Sequence, residues 1–456
     1  MVTVMGNYRL KRTFDIRLEG RAERLILDAD FPGEVAFKPA DFKGLNPKLL
    51  VSEGDKVCVG TPLFCHKENR DIVITSTASG TVKGIRRGDR RAIESVIIKT
   101  DGKQKCLNYK IPKGSAENFL AEDVKKILLE SGLFACFIQR PFGIIADPFI
   151  TPRDIFITAM DTAPLAPLMS LCADCENPYF QAGISILSRL TSGKVHVSVE
   201  GKFSDVPPEI LTAKGFELHK FIGNHPAGNV GVQIEHIAPI KGRDDVVWTL
   251  NLNGVNLIGK LFLEGKIDPE VTVAVTGLAA KKRCYYRTII GASLSSFIGE
   301  MESGDVRIIS GNVLTGRNEG SNGYLGFFHY MVTAIPEPEG DQILGWATLG
   351  LNKRSFSRTY LSSFFNYAGR FREESAMNGS LRPFIATGIY EDVLPMDIYP
   401  VFLIKSIIAE DIEEMEKLGI YEVIEEDLAL VEYVDPSKQN FQDILRKGID
   451  QVRREG

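Results

Sequence analysis

GNHPAGNVGVQIEHIAPIKGRDDVVWTLNLNGVNLIGK, residues Gly223 to Lys260, holds the chain's densest concentration of special backbone residues. His225-Pro226 restricts the backbone, and Gly228 and Gly231 then allow unusual dihedrals, so the spacing predicts a shaped loop. The alternating apolar run that follows, with Trp248 inside it, predicts strand up to a turn at Gly259. The upstream pattern alternates helix with strand, which places this stretch at the close of an α/β unit. A hinge into the next unit is the expectation.

The α/β unit begins where the hydrophobic period changes. From Ala121, Val124, Ile127 and Leu128 share one face, and Gly132 follows, predicting a short amphipathic helix. Asp154 to Met160 reads as a buried strand, Phe180 to Leu190 as a helix tolerating Gly183, and Lys194 to Val199 as the next strand. That order predicts a parallel, Rossmann-like sheet over 111–250, whose ligands belong beyond the carboxyl ends of its strands. Residues 1–110 differ, being short apolar alternations cut by glycine turns. EGDKVCVGTPL and TSTASGTVKGI within them resemble the hammerhead of lipoyl and biotinyl carrier domains. The carrier lysine's place falls on Arg70-Asp71, with Lys67 a poorer match, so the resemblance implies a lipoyl-like barrel-sandwich hybrid without its swinging arm.

Downstream, Val271 to Gly277 and Tyr286 to Gly291 flank a turn, Ser293 to Ile298 reads as a short helix, and Val306 to Gly311 returns as a strand. A strand pair, a helix and a return strand are a β-grasp (SLBB-like) pattern, expected over 251–330. Residues 331–456 read as strands and loops as far as the polar segment Arg370 to Leu381. Two helices follow, Ile407 to Leu418 capped by Gly419, and Phe441 to Val452 with Ile444, Leu445 and Ile449 on its apolar face. The fold class is therefore multidomain α/β and α+β ending in a helical segment.

Bulk properties bound the function. A chain of 456 residues, 44% hydrophobic and 25% charged, belongs with folded multidomain proteins. Its net charge of −5 offers no basic footprint for nucleic acid, and the cluster Arg86-Arg87-Gly88-Asp89-Arg90-Arg91 reads as a charged turn. The first residues lack signal-peptide organisation, and no apolar run approaches the roughly 18 residues of a membrane span. Seven scattered cysteines fit reduced thiols in the cytoplasm. A role at a membrane then requires docking on partners.

Cys172-Ala173-Asp174-Cys175 has the spacing of a zinc or redox pair, but a closed zinc site needs four ligands, and only Cys136 lies nearby. The pair reads as inert. His219, His225 and His236 with Glu235 could make a metal or acid–base cluster, but they lack helical pair spacing, and hydrogen bonding toward a carbonyl ligand is the stronger reading, with His225 the residue to test for ligand contact. Neither GxGxxG after a strand nor GxxxxGK[ST] occurs, so the α/β unit lacks a phosphate cradle. Phe134, Phe137, Phe142 and Phe149 flank Gln139-Arg140-Pro141. These phenylalanines read as core, or as a flat apolar slot with Arg140 at its mouth, suited to a quinone ring. No metal site and no catalytic side chain are expected.

Over nearly its full length the chain resembles the A-subunit family of the bacterial sodium-translocating NADH:quinone oxidoreductases. The segments that carry the likeness are GLFACFIQRPF, TPRDIFITAMDTAPLA, GNHPAGNVGVQIEH, RTIIGASLSSF, VRIISGNVLTG, GIYEDVLPMDIYP and EEDLALVEYVDPSK. The resemblance implies a peripheral subunit on the cytoplasmic side of the inner membrane, in a six-subunit assembly that oxidises NADH, reduces ubiquinone and exports Na+. Flavins, the iron–sulfur centre and NADH are then expected on partner subunits, with quinone the one ligand expected here, near Phe134, Arg140, Phe142 and His225. Relatives often carry cysteines where Val431 and Asp435 stand, and Ser131-Gly132-Leu133-Phe134 replaces the glycine-rich flavin loop of the related complex I chain. A bound iron–sulfur cluster or FMN is not expected. Two alternatives stand beside this expectation: a docking module of purely structural role, and a cluster-less electron-transfer subunit of the Rnf type.

Overall fold

A computed structural model describes residues 3–112, 114, 116–172, 177–338, 356, 361, 380–385 and 388–456. Most of the expected strand-and-loop region 331–381, and Cys175, lie outside the described residues.

The N-terminal region begins with β1 (Val4–Arg9) and β2 (Ile26–Asp28), which join other sheets, and continues with β3 (Glu34–Phe37), β4 (Pro47–Leu49), β5 (Lys56–Val57), β6 (Pro62–His66), β7 (Val73–Thr75), β8 (Gly80–Arg87) and β9 (Ile93–Thr100). These form a four-stranded sheet, β3-β9-β8-β5, facing a three-stranded one, β4-β6-β7. Val35, Val57, Leu63, Ile74, Val82 and Val96 fill the space between them. Residues 67–72, including Arg70-Asp71, make the β6–β7 hairpin loop, and Asp89–Arg91 an exposed turn between β8 and β9.

The α/β unit follows as α1 (Ala121–Ser131), β10 (Ile138–Arg140), β11 (Ile144–Ile145), β12 (Ile155–Thr158), α2 (Met169–Cys172), α3 (Asn177–Leu187), β13 (Val195–Glu200), α4 (Pro208–Thr212), β14 (Glu217–Ile222), α5 (Val230–Ile237), β15 (Val247–Asn251) and α6 (Leu252–Glu264). Its seven-stranded sheet runs β1-β14-β13-β12-β15-β10-β11. The first five strands are parallel, and β10 and β11 are antiparallel at the edge. Strand order turns back between β12 and β15, which makes their carboxyl ends the switch point of the sheet.

Residues 223–260 are loop, helix, loop, strand and helix, all within this unit, in place of the expected strand running into a hinge. Val230, Val232 and Ile234 alternate like a strand, but α5 is closed in by the sheet on one side and the C-terminal helices on the other, so apolar residues recur around it. Its glycines serve close approach, and neither Gly228 nor Gly231 has a positive φ. A Cβ on Gly231 would lie 2.5 Å from the Asp427 carboxylate, and one on Gly259 would lie 1.9 Å from the Tyr179 carbonyl on α3. The second contact lets α3 and α6 cross tightly beneath the sheet.

Then come β16 (Glu270–Thr276), β17 (Tyr285–Ile289), β18 (Val306–Ser310), β19 (Arg317–Asn318) and β20 (Met331–Pro336), in a six-stranded sheet that β2 completes. The short helix expected at Ser293 to Ile298 is a single 3-10 turn, Leu294–Ser296. At the C-terminus are α7 (Pro400–Ile408), α8 (Ile412–Lys417), α9 (Glu425–Val434) and α10 (Phe441–Glu455). The helix expected over Ile407–Leu418 is broken, because Glu410 takes φ +57° and the Asp411 side chain starts α8 afresh by accepting from Glu414 N at 3.1 Å. Leu403, Leu428, Leu445 and Ile449 of this layer share a core with Phe221 and Val232 of the α/β unit.

Candidate functional site

At the switch point, the carboxyl end of β15 leads directly into α6. Asn251 caps that helix, its side chain accepting from Gly254 N at 2.8 Å. A narrow cleft, with about 40 Å³ of free space beneath an open mouth, lies beside this turn. Asn251 lines it from the end of β15, Asn253, Asn256 and Lys260 from α6, Cys136 and Cys172 from the rest of the α/β unit, and Glu270, Thr272, Ile290 and Phe327–His329 from the β16–β20 region. Phe327 and Phe328 in turn pack on Phe42 of the N-terminal region, with ring centres 4.9 and 5.7 Å away. Two parts of the chain therefore line one opening, backed by the N-terminal region through Phe42, and the lining mixes apolar walls with amide, ammonium and imidazole groups, the composition of a small-molecule site. His329 is oriented by Ser310 Oγ at 2.9 Å from its Nδ1, and burial holds it below the ordinary histidine pKa.

The slot read from the sequence does not form. Phe134 packs edge-on against Trp248, with ring centres 5.5 Å apart. Arg140 pairs across the strands with Val247, whose side chain points to the opposite face from its neighbour Trp248. Phe134 and Arg140 thus lie on opposite sides of the sheet. Only 1% exposed, Arg140 donates from Nη1 to Asp427 Oδ2 at 2.9 Å and from Nη2 to Glu426 Oε1 at 3.0 Å, which ties β10 to α9. Phe142, at φ +88°, packs on Tyr421, and its carbonyl accepts from Arg446 Nη1 at 2.9 Å. These are anchors for the C-terminal helices. The sequence pattern did not predict α9, so it gave Arg140 no acidic partners.

His225 sits in the β14–α5 loop, buried, with Nδ1 3.4 Å from Thr162 Oγ1 and no hydrogen-bond partner at Nε2. Burial lowers its pKa to about 4, so the ring is neutral at neutral pH. His236 Nδ1 lies 2.9 Å from the Val232 carbonyl within α5, while His219 turns toward His196, so the three histidines singled out from the sequence are not brought together. Cys172 is buried with its thiol pKa pushed up by desolvation, an environment for an inert thiol. Val431 is fully buried, and Asp435 accepts from Tyr390 Oη, Ser437 N and Gln439 N at 2.7–2.9 Å. Packing holds the first position and hydrogen bonding the second. Gly132 ends α1 at φ +78°, and Leu133–Cys136 makes a buried 3-10 turn rather than an open glycine-rich loop.

Among the described residues no helix is long and apolar enough to cross a membrane. Family models match along the chain: the NqrA N-terminal barrel-sandwich hybrid domain over 8–101, the NqrA second alpha/beta domain over 119–267 and the NQRA C-terminal domain over 272–319. The A-subunit of the Na(+)-translocating NADH-quinone reductase of Neisseria gonorrhoeae is 36% identical, covering 98% of this chain and 100% of its own length. The same-named protein of Pasteurella multocida is 35% identical over 98% of this chain and 99% of its own. A solved NAD+-reducing [NiFe]-hydrogenase overlaps 67% of this chain and 55% of its own at 11% identity and TM-score 0.35, too loose a likeness to carry argument. With the three domain matches in order and full-length relatives above one-third identity, the chain belongs to the NqrA family, the A-subunits of the Na(+)-translocating NADH-quinone reductases.

Proposed function

We propose that this chain is a non-redox, peripheral subunit of a sodium-translocating NADH:quinone reductase, seated on the cytoplasmic side of a bacterial inner membrane. It contributes to the quinone-reducing step, while flavins, iron–sulfur centre and NADH reside on partner subunits of a six-subunit assembly. The observation that carries this reading is the cleft at the switch point, lined by the α/β unit and the β16–β20 region. A ubiquinone head is a flat ring with two carbonyl acceptors. The cleft offers Phe328, Leu257 and Ile290 as apolar surface and Asn253, Lys260 and His329 as groups able to hydrogen-bond a carbonyl. Binding and orientation are the chain's contribution, and the electrons arrive from elsewhere.

Titrating the purified chain with a short-chain ubiquinone tests this. Saturable binding, weakened at least about tenfold by Asn253→Leu, is the expected outcome. Weakening by His225→Gln alone would shift the site toward Thr162 at the same strand ends, and an absence of saturable binding would end the quinone reading. A second reading, docking without a ligand, is favoured by Tyr399 and Phe402, 57% and 59% exposed and one turn apart at the start of α7. Loss of complex assembly in Phe402→Glu, with no quinone bound by the native chain, would select it.

A further inference from the structure

At the amino ends of the same strands, opposite the cleft, the sheet gathers three metal-binding side chains that lie far apart in the sequence. His196 on β13 pairs across the strands with Glu217 on β14, and His219 is two residues further along β14, so all three point to one face. His196 Nδ1 lies 3.0 Å from His219 Nε2 and 3.5 Å from Glu217 Oε2, and that oxygen is 4.0 Å from His219 Nε2. A tetrahedral ion with bonds of about 2.0–2.2 Å holds its donors roughly 3.3–3.5 Å apart. Shifts of a few tenths of an ångström would bring this triangle to that size.

We propose that His196, Glu217 and His219 form a binding site for one divalent transition-metal ion of the zinc class. Two imidazoles and a carboxylate suit such an ion, whereas Mg2+ and Ca2+ call for oxygen ligands. With the ion bound, both facing nitrogens offer lone pairs, and the His196 proton sits on Nε2, 3.7 Å from Asp154 Oδ1. Closing that gap by about half an ångström as the ion binds would make a carboxylate–histidine–metal arrangement, with Asp154 as the orienting group. Phe156 stacks on the His196 ring at 4.7 Å, and Lys194 Nζ lies 3.3 Å from Glu217 Oε1, which leaves Oε2 to the histidines. Without an ion, the two rings can share only one hydrogen between the facing nitrogens, and His219 Nδ1 is buried with no hydrogen-bond partner. The histidines are about 5% exposed and Glu217 is half-buried, so access is from the Glu217 side and water completes the coordination. The ion would join two neighbouring strands of the sheet, a structural staple remote from the cleft.

The test uses the full chain stripped with a chelator and titrated with Co2+ as a spectroscopic probe, then with Zn2+ in competition. One ion per chain, a tetrahedral cobalt spectrum and a raised thermal midpoint are expected. Glu217→Gln, at a partly exposed position, and His196→Gln should each weaken binding at least about tenfold, and Asp154→Asn by roughly ten- to hundredfold. The double variant Cys172→Ser/Cys175→Ser should bind as the native chain does. The proposal is overturned by an absence of stoichiometric binding, by native-strength binding in both Glu217→Gln and His196→Gln, or by loss of binding in the cysteine variant.

Discussion

Arg140 and the cleft beside β15 both place polar groups against aromatic and aliphatic walls, and they differ in how far the chain closes over those groups. Around Arg140 the chain supplies them: Asp427 and Glu426 take the guanidinium, and Asn229 Nδ2 donates to the Glu426 carbonyl at 2.8 Å. In the cleft, Asp268 holds Lys260 at 2.8 Å and Ser310 holds His329 at 2.9 Å, but side chains from two parts of the chain still face open space. A buried charge paired with its counter-charges holds a fold in one arrangement, and groups facing a void have room for something from outside. An arginine amid phenylalanines says little about ligands until its counter-charges are located.

The largest effect should come from removing the guanidinium. Arg140→Met leaves the Asp427 carboxylate, 0% exposed, without its cation and should cost about 3–5 kcal/mol of folding stability, read by urea denaturation. Arg140→Met/Asp427→Leu should recover most of that loss, because a buried pair replaced by apolar groups is close to neutral. A single-variant loss below about 1 kcal/mol would mean that Arg140 is not an anchor, and the contrast with the cleft would collapse.

Next in size is Glu425, on the same side of the molecule. Burial pushes its carboxyl up, but the hydrogen bonds and charge of Arg446, with Nε 2.7 Å from Oε1, and the charge of Lys43 prevail and hold it down at about 2. A carboxyl depressed in the folded state stabilises above its unfolded pKa, and that stability is lost as pH falls from about 4.5 toward 2. On the order of 2 kcal/mol should disappear from the native chain across that window. In Glu425→Gln this part of the acid loss should be missing, and an unchanged acid limb would show the pair to be idle.

The cleft should behave in the opposite way. Asn253→Leu should move stability by less than about 1 kcal/mol while weakening short-chain ubiquinone by about tenfold, close to 1.4 kcal/mol. If stability and binding instead fall together, the cleft is an anchor of the same kind as Arg140.

Much of the fold was legible because its elements are local. The β-branched runs of β12, β13 and β16 and the helix over Ala121–Ser131 announce themselves by period and caps. What was not legible depends on distant partners. Gly231 looks like a flexible loop residue until Asp427, almost 200 positions away, is found against it. α5 alternates like a strand because it is covered from two sides. His196 and His219 have no suggestive spacing, and only the parallel register of β13 on β14 makes them neighbours. The cleft likewise draws its lining from 136 to 329, so the resemblance could suggest a quinone and the residues could not say where it would lie.

The smallest effect is expected where α5 meets the turn before α9. Burial and a hydrogen bond with Glu235, with the charge of Asp397 adding to them, raise the Glu422 carboxyl to about 8. Two carboxyls in contact cannot both ionise freely, so the pair retains a proton at neutral pH. A carboxyl whose folded pKa is raised takes up a proton on folding. Its stabilisation is full below about pH 4.5 and is lost as pH rises through about 8. The native chain should therefore weaken gently between pH 5 and 8, by about 0.5–1 kcal/mol given the partial exposure of the pair. Glu422→Gln keeps a hydrogen-bond donor toward Glu235 without a proton to lose, and should flatten that slope. A slope that persists in the variant would place the titrating group elsewhere. A variant less stable than the native chain at pH 8 would mean that Glu422 is ionised and held by a cation, which would make this contact an anchor of the Arg140 type.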